Sequence, residues 1–222
     1  MKTLNLTPTE LAYIVNNYEF VGRGPHGIVV KLNDDYLLKF KYKDFVDTFD
    51  TDDKLGDISN IIKIRKSANL ATYNSTESNR VKMIKHAIEK QQFVNHSTLT
   101  QGLVYVDDFC VGYVLKYHKN MVSLHKFLHN ANLSDFDKNV IFYKVKTSVD
   151  ELMKNYIYLS DLSTNNILIN PKTKQLEIIN FEDSLTCYDE ENLFDKQTMT
   201  SKLEKIKAKF EIKNDDELLL CK

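Results

Sequence analysis

The apolar pattern of this chain turns from mostly strand-like to mostly helical near Tyr117, and that change limits what it can fold into. Before it come five short strand-like runs: Tyr18 to Val21, Ile28 to Leu32, Tyr36 to Phe40, Gly102 to Val106 and Cys110 to Lys116. Turn signals separate them, the Gly-rich run at 22–27, Asn33-Asp34-Asp35 and Asp107-Asp108 among them. After it, Ser123–His129, Asp135–Tyr156 and Met199–Phe210 carry apolar residues at helical spacing. In the first half only two segments read as helix. One opens at Thr7-Pro8-Thr9-Glu10, with Thr7 as N-cap, Pro8 in the first turn and Glu10 closing a capping box. The other runs from about Glu77 to Phe93, with Val81, Ile84, Ile88 and Phe93 as its inner stripe. Strands first and helices afterwards predict an α+β fold rather than alternating βαβ units. The expected architecture is a five-stranded antiparallel sheet with a helix over residues 1–116, and a mostly helical part over 117–222.

A chain of 222 residues with 42% apolar content can bury a real core. Its net charge of −1 provides no broad basic field, so a nucleic-acid partner is not expected. No apolar run approaches the length of a membrane span. Met1 to Asn5 lacks the apolar core of a signal peptide, and Cys110, Cys187 and Cys221 form no C-x-x-C pair. Reduced thiols in a cytoplasm are the expectation. Residues 43–76 are polar and rich in Asp. A calcium loop is rejected there, because Gly56 stands at the wrong offset from Asp50 and no Glu closes the loop. The stretch reads as a solvated insertion.

Four patterns carry chemistry. Gly22-Arg23-Gly24-Pro25-His26-Gly27 is a G-x-G-x-x-G joining two strands, not a strand to a helix, which argues against a dinucleotide-binding turn. Glycines at a hairpin tip let backbone close over phosphates. Val29, two residues on, would offer an apolar side chain to a flat base. Lys39 lies within the apolar run Leu37 to Phe40, where burying an ammonium demands an anionic partner. Then Asp161-Leu162-Ser163-Thr164-Asn165-Asn166 runs directly into Ile167-Leu168-Ile169 and a hairpin turning at Pro171-Lys172-Thr173. Asn180-Phe181-Glu182-Asp183 follows, with Asn180 fourteen residues past Asn166.

In this order the patterns resemble the motifs of the protein kinase-like superfamily over about residues 18–184. The resemblance implies two lobes with ATP bound between them. Gly22, Gly24, Gly27 and Val29 would cover the nucleotide, and Lys39 would hold its α/β-phosphates. Glu89 would position Lys39, with Glu77 as the alternative. Leu115, Lys116 and His118 would flank the adenine at the linker. It further implies Asp161 as the base that accepts the acceptor hydroxyl's proton, and Asn166 and Asn180 as ligands of Mg²⁺ or Mn²⁺.

Three departures qualify the match. Asn180 replaces the metal-binding Asp, so the site carries less negative charge; Asp183 could substitute in part, though nothing in the sequence requires it. Leu159 and Ser160 replace the usual His-Arg, which argues against switching by phosphorylation of an activation loop. Only 42 residues follow Asn180, with no Ala-Pro-Glu, so the platform that docks protein substrates is expected to be reduced. The expected function is phosphoryl transfer from ATP to a protein Ser/Thr or a small hydroxyl compound. The alternative is a pseudokinase that binds nucleotide without turnover. An aminoglycoside- or choline-kinase-like enzyme is disfavoured because Ser163 stands where those families carry His.

Overall fold

The computed structural model describes residues 2–24, 27–41, 81–106, 109–181 and 185–210. Several expectations therefore lie outside the described residues: the loop tip Pro25-His26, the polar stretch 43–76, Glu77, the Asp107-Asp108 turn, Glu182-Asp183, and Cys221. The chain divides into two compact units, one of Met1–Lys85 with Thr100–His118, the other of His86–Leu99 with Lys119–Lys222. The division expected between 116 and 117 falls between His118 and Lys119, and residues 86–99 belong with the second unit rather than the first.

The first unit is built on one sheet. In chain order it holds β1 (Lys2–Leu6), α1 (Pro8–Asn17), β2 (Phe20–Gly24), β3 (Gly27–Lys31), β4 (Tyr36–Lys41), β5 (Gly102–Val106) and β6 (Phe109–Lys116). The strand order is β1-β5-β6-β4-β3-β2. Every neighbouring pair is antiparallel except β1 with β5, which is parallel. The expected five-stranded antiparallel sheet is therefore corrected to a mixed sheet of six. Leu4 and Leu6 alternate with polar residues as a half-buried strand should, but the partner of β1 lies about a hundred residues away and no local turn announces it.

The capping box at Thr7 forms as the sequence predicts. The Thr7 N–H donates to Glu10 Oε2 at 2.7 Å, and the Glu10 N–H donates to Thr7 Oγ1 at 3.2 Å. It starts α1 so that Leu11 and Ile14 face the sheet. There they pack in one cluster with Ile28, Val30, Leu38, Phe40, Val104 and Val106. Gly112 faces this same side, between Phe40 and Val104 in the strand register. A Cβ at Gly112 would stand inside contact distance of the Lys39 carbonyl oxygen and 3.1 Å from Phe40 Cδ1, so only glycine fits. The next residue, Val111, is an extra one in β6, where the register with β5 shifts.

The second unit is largely helical. It contains the last four residues of the helix at 81–89 (α2), a 3₁₀ turn at Gln91–Phe93, β7 (Val122–Ser123), α3 (Leu124–Asn130) and α4 (Asp135–Lys154). Then follow β8 (Ile157–Leu159), β9 (Ile167–Ile169), β10 (Leu176–Ile178), β11 (Leu185–Cys187) and α5 (Leu193–Lys209). Ser123, Ser134 and Asn192 cap α3, α4 and α5, each accepting a hydrogen bond from a backbone N–H three residues on. Ile141, Phe142, Val145, Val149 and Leu152 form the buried stripe of α4, and Met199, Leu203 and Ile206 that of α5. Phe210, just past α5, rests against Phe142 with ring centroids 5.7 Å apart.

Two expected inner residues are instead exposed. Phe93 is 57% exposed because the helix stops at Glu89 and the tighter 3₁₀ turn changes the angular register. Phe136, at the first turn of α4, is 67% exposed. No helix among the described residues is long and apolar enough to cross a membrane.

Candidate functional site

The first unit collects its share of the candidate residues on the sheet face opposite α1. Gly22 pairs with Val29, Val29 with Lys39, Lys39 with Tyr113, and Tyr113 with Leu103, so these residues form one row across four junctions. Leu115 is two residues along β6 from Tyr113 and lies on the same face, paired with Leu37. Lys39 is only 8% exposed, and Tyr113 and Leu103 beside it are fully buried. An ammonium in that row needs a compensating polar or anionic group, since burial without one is expensive. Lys31, one row away, is served differently: it bridges Asp34 at 3.1 Å and Glu19 at 3.6 Å on the surface.

The glycines of the G-x-G-x-x-G join two antiparallel strands, and Gly24 pairs with Gly27 directly below the turn. Gly22 has open space where a Cβ would stand, so packing within the protein does not require glycine there. Lys116 ends β6 exposed, and His118 follows half-buried. Tyr117 between them donates its N–H to the Asp35 carbonyl at 2.8 Å, fixing the strand end against the β3–β4 turn.

In the second unit the loop between β8 and β9 holds Asp161 and Asn166 together. Asn166 Nδ2 donates to Asp161 Oδ2 at 2.9 Å and to the Asp161 carbonyl at 2.8 Å. With its NH₂ spent on Asp161, the amide has only Oδ1 left to ligate a cation. The loop is anchored on both sides. Leu162 and Thr164 are buried, the His125 N–H of α3 donates to the Thr164 carbonyl at 3.0 Å, and the Asn166 N–H closes on Ser163. Asp161 itself is exposed.

The Asn166 carbonyl accepts the Ile179 N–H at 2.9 Å, which sets Asn180 beside the loop. Asn180 has φ of 68°, in the left-handed region that Asn tolerates better than most residues, and Phe181 after it is buried. Asp161, Asn166 and Asn180 are thus brought together. The segment after α2 braces the strand leading to Asn180: the Ile178 N–H donates to His96, the Thr98 N–H to Ile178, and Thr98 Oγ1 to the buried carboxylate of Glu177 at 2.9 Å.

Glu89 is exposed, with its carboxylate 3.9 Å from His86 Nδ1, and Glu77 lies outside the described residues. Among the described residues no three of His, Cys, Asp and Glu gather as a metal site. Among the described residues, the candidate oxygen donors by the loop include the Asp161 carboxylate and the amide oxygens of Asn166 and Asn180. Such hard donors are of the kind that suits Mg²⁺ or Mn²⁺.

Thr98, Glu177 and Thr164 were not singled out by the sequence. Thr164 and Glu177 are buried and Thr98 is half-buried, and only the tertiary contacts give them roles. No protein-family model matches the chain, and no curated protein matches it.

Proposed function

We propose that the protein transfers the γ-phosphoryl group of ATP to a hydroxyl acceptor, either a protein Ser/Thr or a small compound. The observation that carries this reading is the double hydrogen bond from Asn166 to Asp161. It leaves an exposed carboxylate fixed in place and an amide oxygen free for a cation, beside Asn180. In this reading the two units are the lobes of a protein kinase-like fold. Gly22, Gly24, Gly27, Val29 and Lys39 serve the triphosphate, Leu115, Lys116 and His118 the adenine, and Glu89 the positioning of Lys39.

Asp161 orients the acceptor hydroxyl and takes its proton as the oxygen bonds to the γ-phosphorus and the bond to the β-phosphate oxygen breaks, releasing ADP. A Mg²⁺ or Mn²⁺ bound with the nucleotide would neutralise phosphate charge, held by Asn166 and Asn180. Phosphoryl transfer asks mainly for positioning and electrostatics, which these residues supply without covalent chemistry. The buried thiols of Cys110 and Cys187 support a reducing, cytoplasmic setting.

Asn180 favours a second reading, a nucleotide-binding pseudokinase, because a neutral amide compensates less of the phosphate–metal charge. Purified protein with γ-labelled ATP and Mg²⁺ or Mn²⁺ separates the two. Labelled protein or released phosphate supports the transferase. Thermal stabilisation by ATP without either product supports the pseudokinase, and no stabilisation at all removes both.

A further inference from the structure

We infer that Lys209, at the C-terminal end of α5, is a positioning residue for the proposed phosphoryl transfer, acting through Thr164; this rests on the transferase reading above. Lys209 Nζ donates to Thr164 Oγ1 at 3.0 Å, across 45 residues of sequence. Thr164 is fully buried and stands midway between Asp161 and Asn166, so its hydroxyl belongs to the loop that presents the carboxylate. Its backbone carbonyl is already held by the His125 N–H from α3, and the loop's far end by the Ile179 N–H. Of these three ties, two are neutral backbone bonds. The third carries a full positive charge, and charge-assisted hydrogen bonds are about twice as strong as neutral ones.

The lysine is itself well anchored. Phe210, the next residue, is buried against Phe142 of α4, which fixes the last turn of α5. Lys207 and Lys209 both sit in that turn, where the helix dipole favours cations. Helix α5 begins 27 residues after Asn166, and Lys209 ties its last turn to the loop's interior. Through Lys209 it clamps the segment between the base and the amide that braces it. Small displacements of a catalytic group are costly in rate, so loosening this clamp is expected to lower turnover while leaving nucleotide binding intact.

The test measures phosphate release from ATP with Mg²⁺ for the full chain and for Lys209→Met, Lys209→Arg, Thr164→Val and Lys209→Met/Thr164→Val. Met keeps the alkyl stem, and Val keeps the volume of Thr164 in its buried site. The expected result is a fall in kcat of about tenfold for Lys209→Met, with KM for ATP within about twofold. Lys209→Arg should restore most of the rate, and the double variant should lose no more than either single one. Equal kcat in the parent and Lys209→Met, or additive losses in the double variant, would overturn the inference. So would a lowered melting temperature with unchanged kcat, which marks a merely structural lysine. A parent that releases no phosphate and labels no protein would instead bring down the transferase reading itself.

Discussion

The two units hold their chemistry-bearing residues by different means. In the first, Gly22, Val29, Lys39 and Tyr113 are placed by a ladder of backbone hydrogen bonds, and the side chains take whatever row the register gives them. In the second, Asp161 is placed by one amide side chain, and the loop by a few bonds to α3, α5 and the residue before Asn180. A ladder tolerates changes of side chain but not crowding of its backbone. A loop held by side chains tolerates neighbours and fails when a single partner is removed. Substitutions in the two units should therefore fail in opposite ways.

The largest effect on folding is expected at Gly112. An alanine there drives its methyl group into the Lys39 carbonyl and the Phe40 ring, and the strands must part to admit it. Gly112→Ala should cost about 3 kcal/mol, the upper end of overpacking penalties, read by urea denaturation. A loss below about 1 kcal/mol would show that the sheet gives way more easily than a ladder should.

Asn166→Ala removes two hydrogen bonds from a half-exposed loop. Stability should fall by about 1 kcal/mol, since each bond contributes little net in contact with water. Phosphoryl transfer should fall far more, because Asp161 loses its brace. If stability and transfer fall together in proportion, Asn166 is only a structural cap.

A pH effect is expected from Cys187 in β11, which pairs with the β8 strand leading to Asp161. Burial raises its thiol to about 11, above its ordinary value. A raised acid pKa means that the unfolded chain gives up the proton first. This contribution is therefore complete below about pH 9 and is lost as pH climbs from 9 towards 11. Chemical denaturation across that window should show a steeper decline for the parent than for Cys187→Ala; equal slopes would place the thiol in contact with water.

The smallest effect on folding is expected at Gly22, where a Cβ meets nothing. Gly22→Ala should change stability by under about 0.5 kcal/mol. If the glycine serves phosphate approach, ATP affinity should nonetheless drop. Unchanged affinity would detach Gly22 from the nucleotide.

Much of the second unit could be read directly. The Asp161-to-Asn166 loop, the hairpin after it and the long helix before it follow from apolar spacing and turn residues, and the loop's internal bonds are local. The three-residue strands β8 and β11 were missed because neither flanks a tight turn, and their pairing spans a long stretch of chain. Helix α5 starts six residues before the Met199 start read from its apolar spacing. Asn192 was an available N-cap signal, but the exposed Leu193 and Phe194 break the inward stripe. In the first unit the meander was legible and β1 was not, because parallel pairing leaves no local mark. Glu89 was placed by analogy of position, and in the structure its exposed carboxylate lies beside His86. The clamp from Lys209 to Thr164 has no sequence signature at all, since nothing in a lysine-rich helix says which lysine reaches the loop.

The central claim is that Asp161 acts in the transition state rather than in binding. Asp161→Asn is the direct test, because the new amide keeps an oxygen to accept from Asn166 and only the basic carboxylate is lost. ATP affinity and γ-phosphoryl transfer should be measured together on the parent and the variant. Affinity is expected to stay within about twofold and transfer to fall by about a hundredfold or more. Equal transfer by the variant and the parent would contradict it.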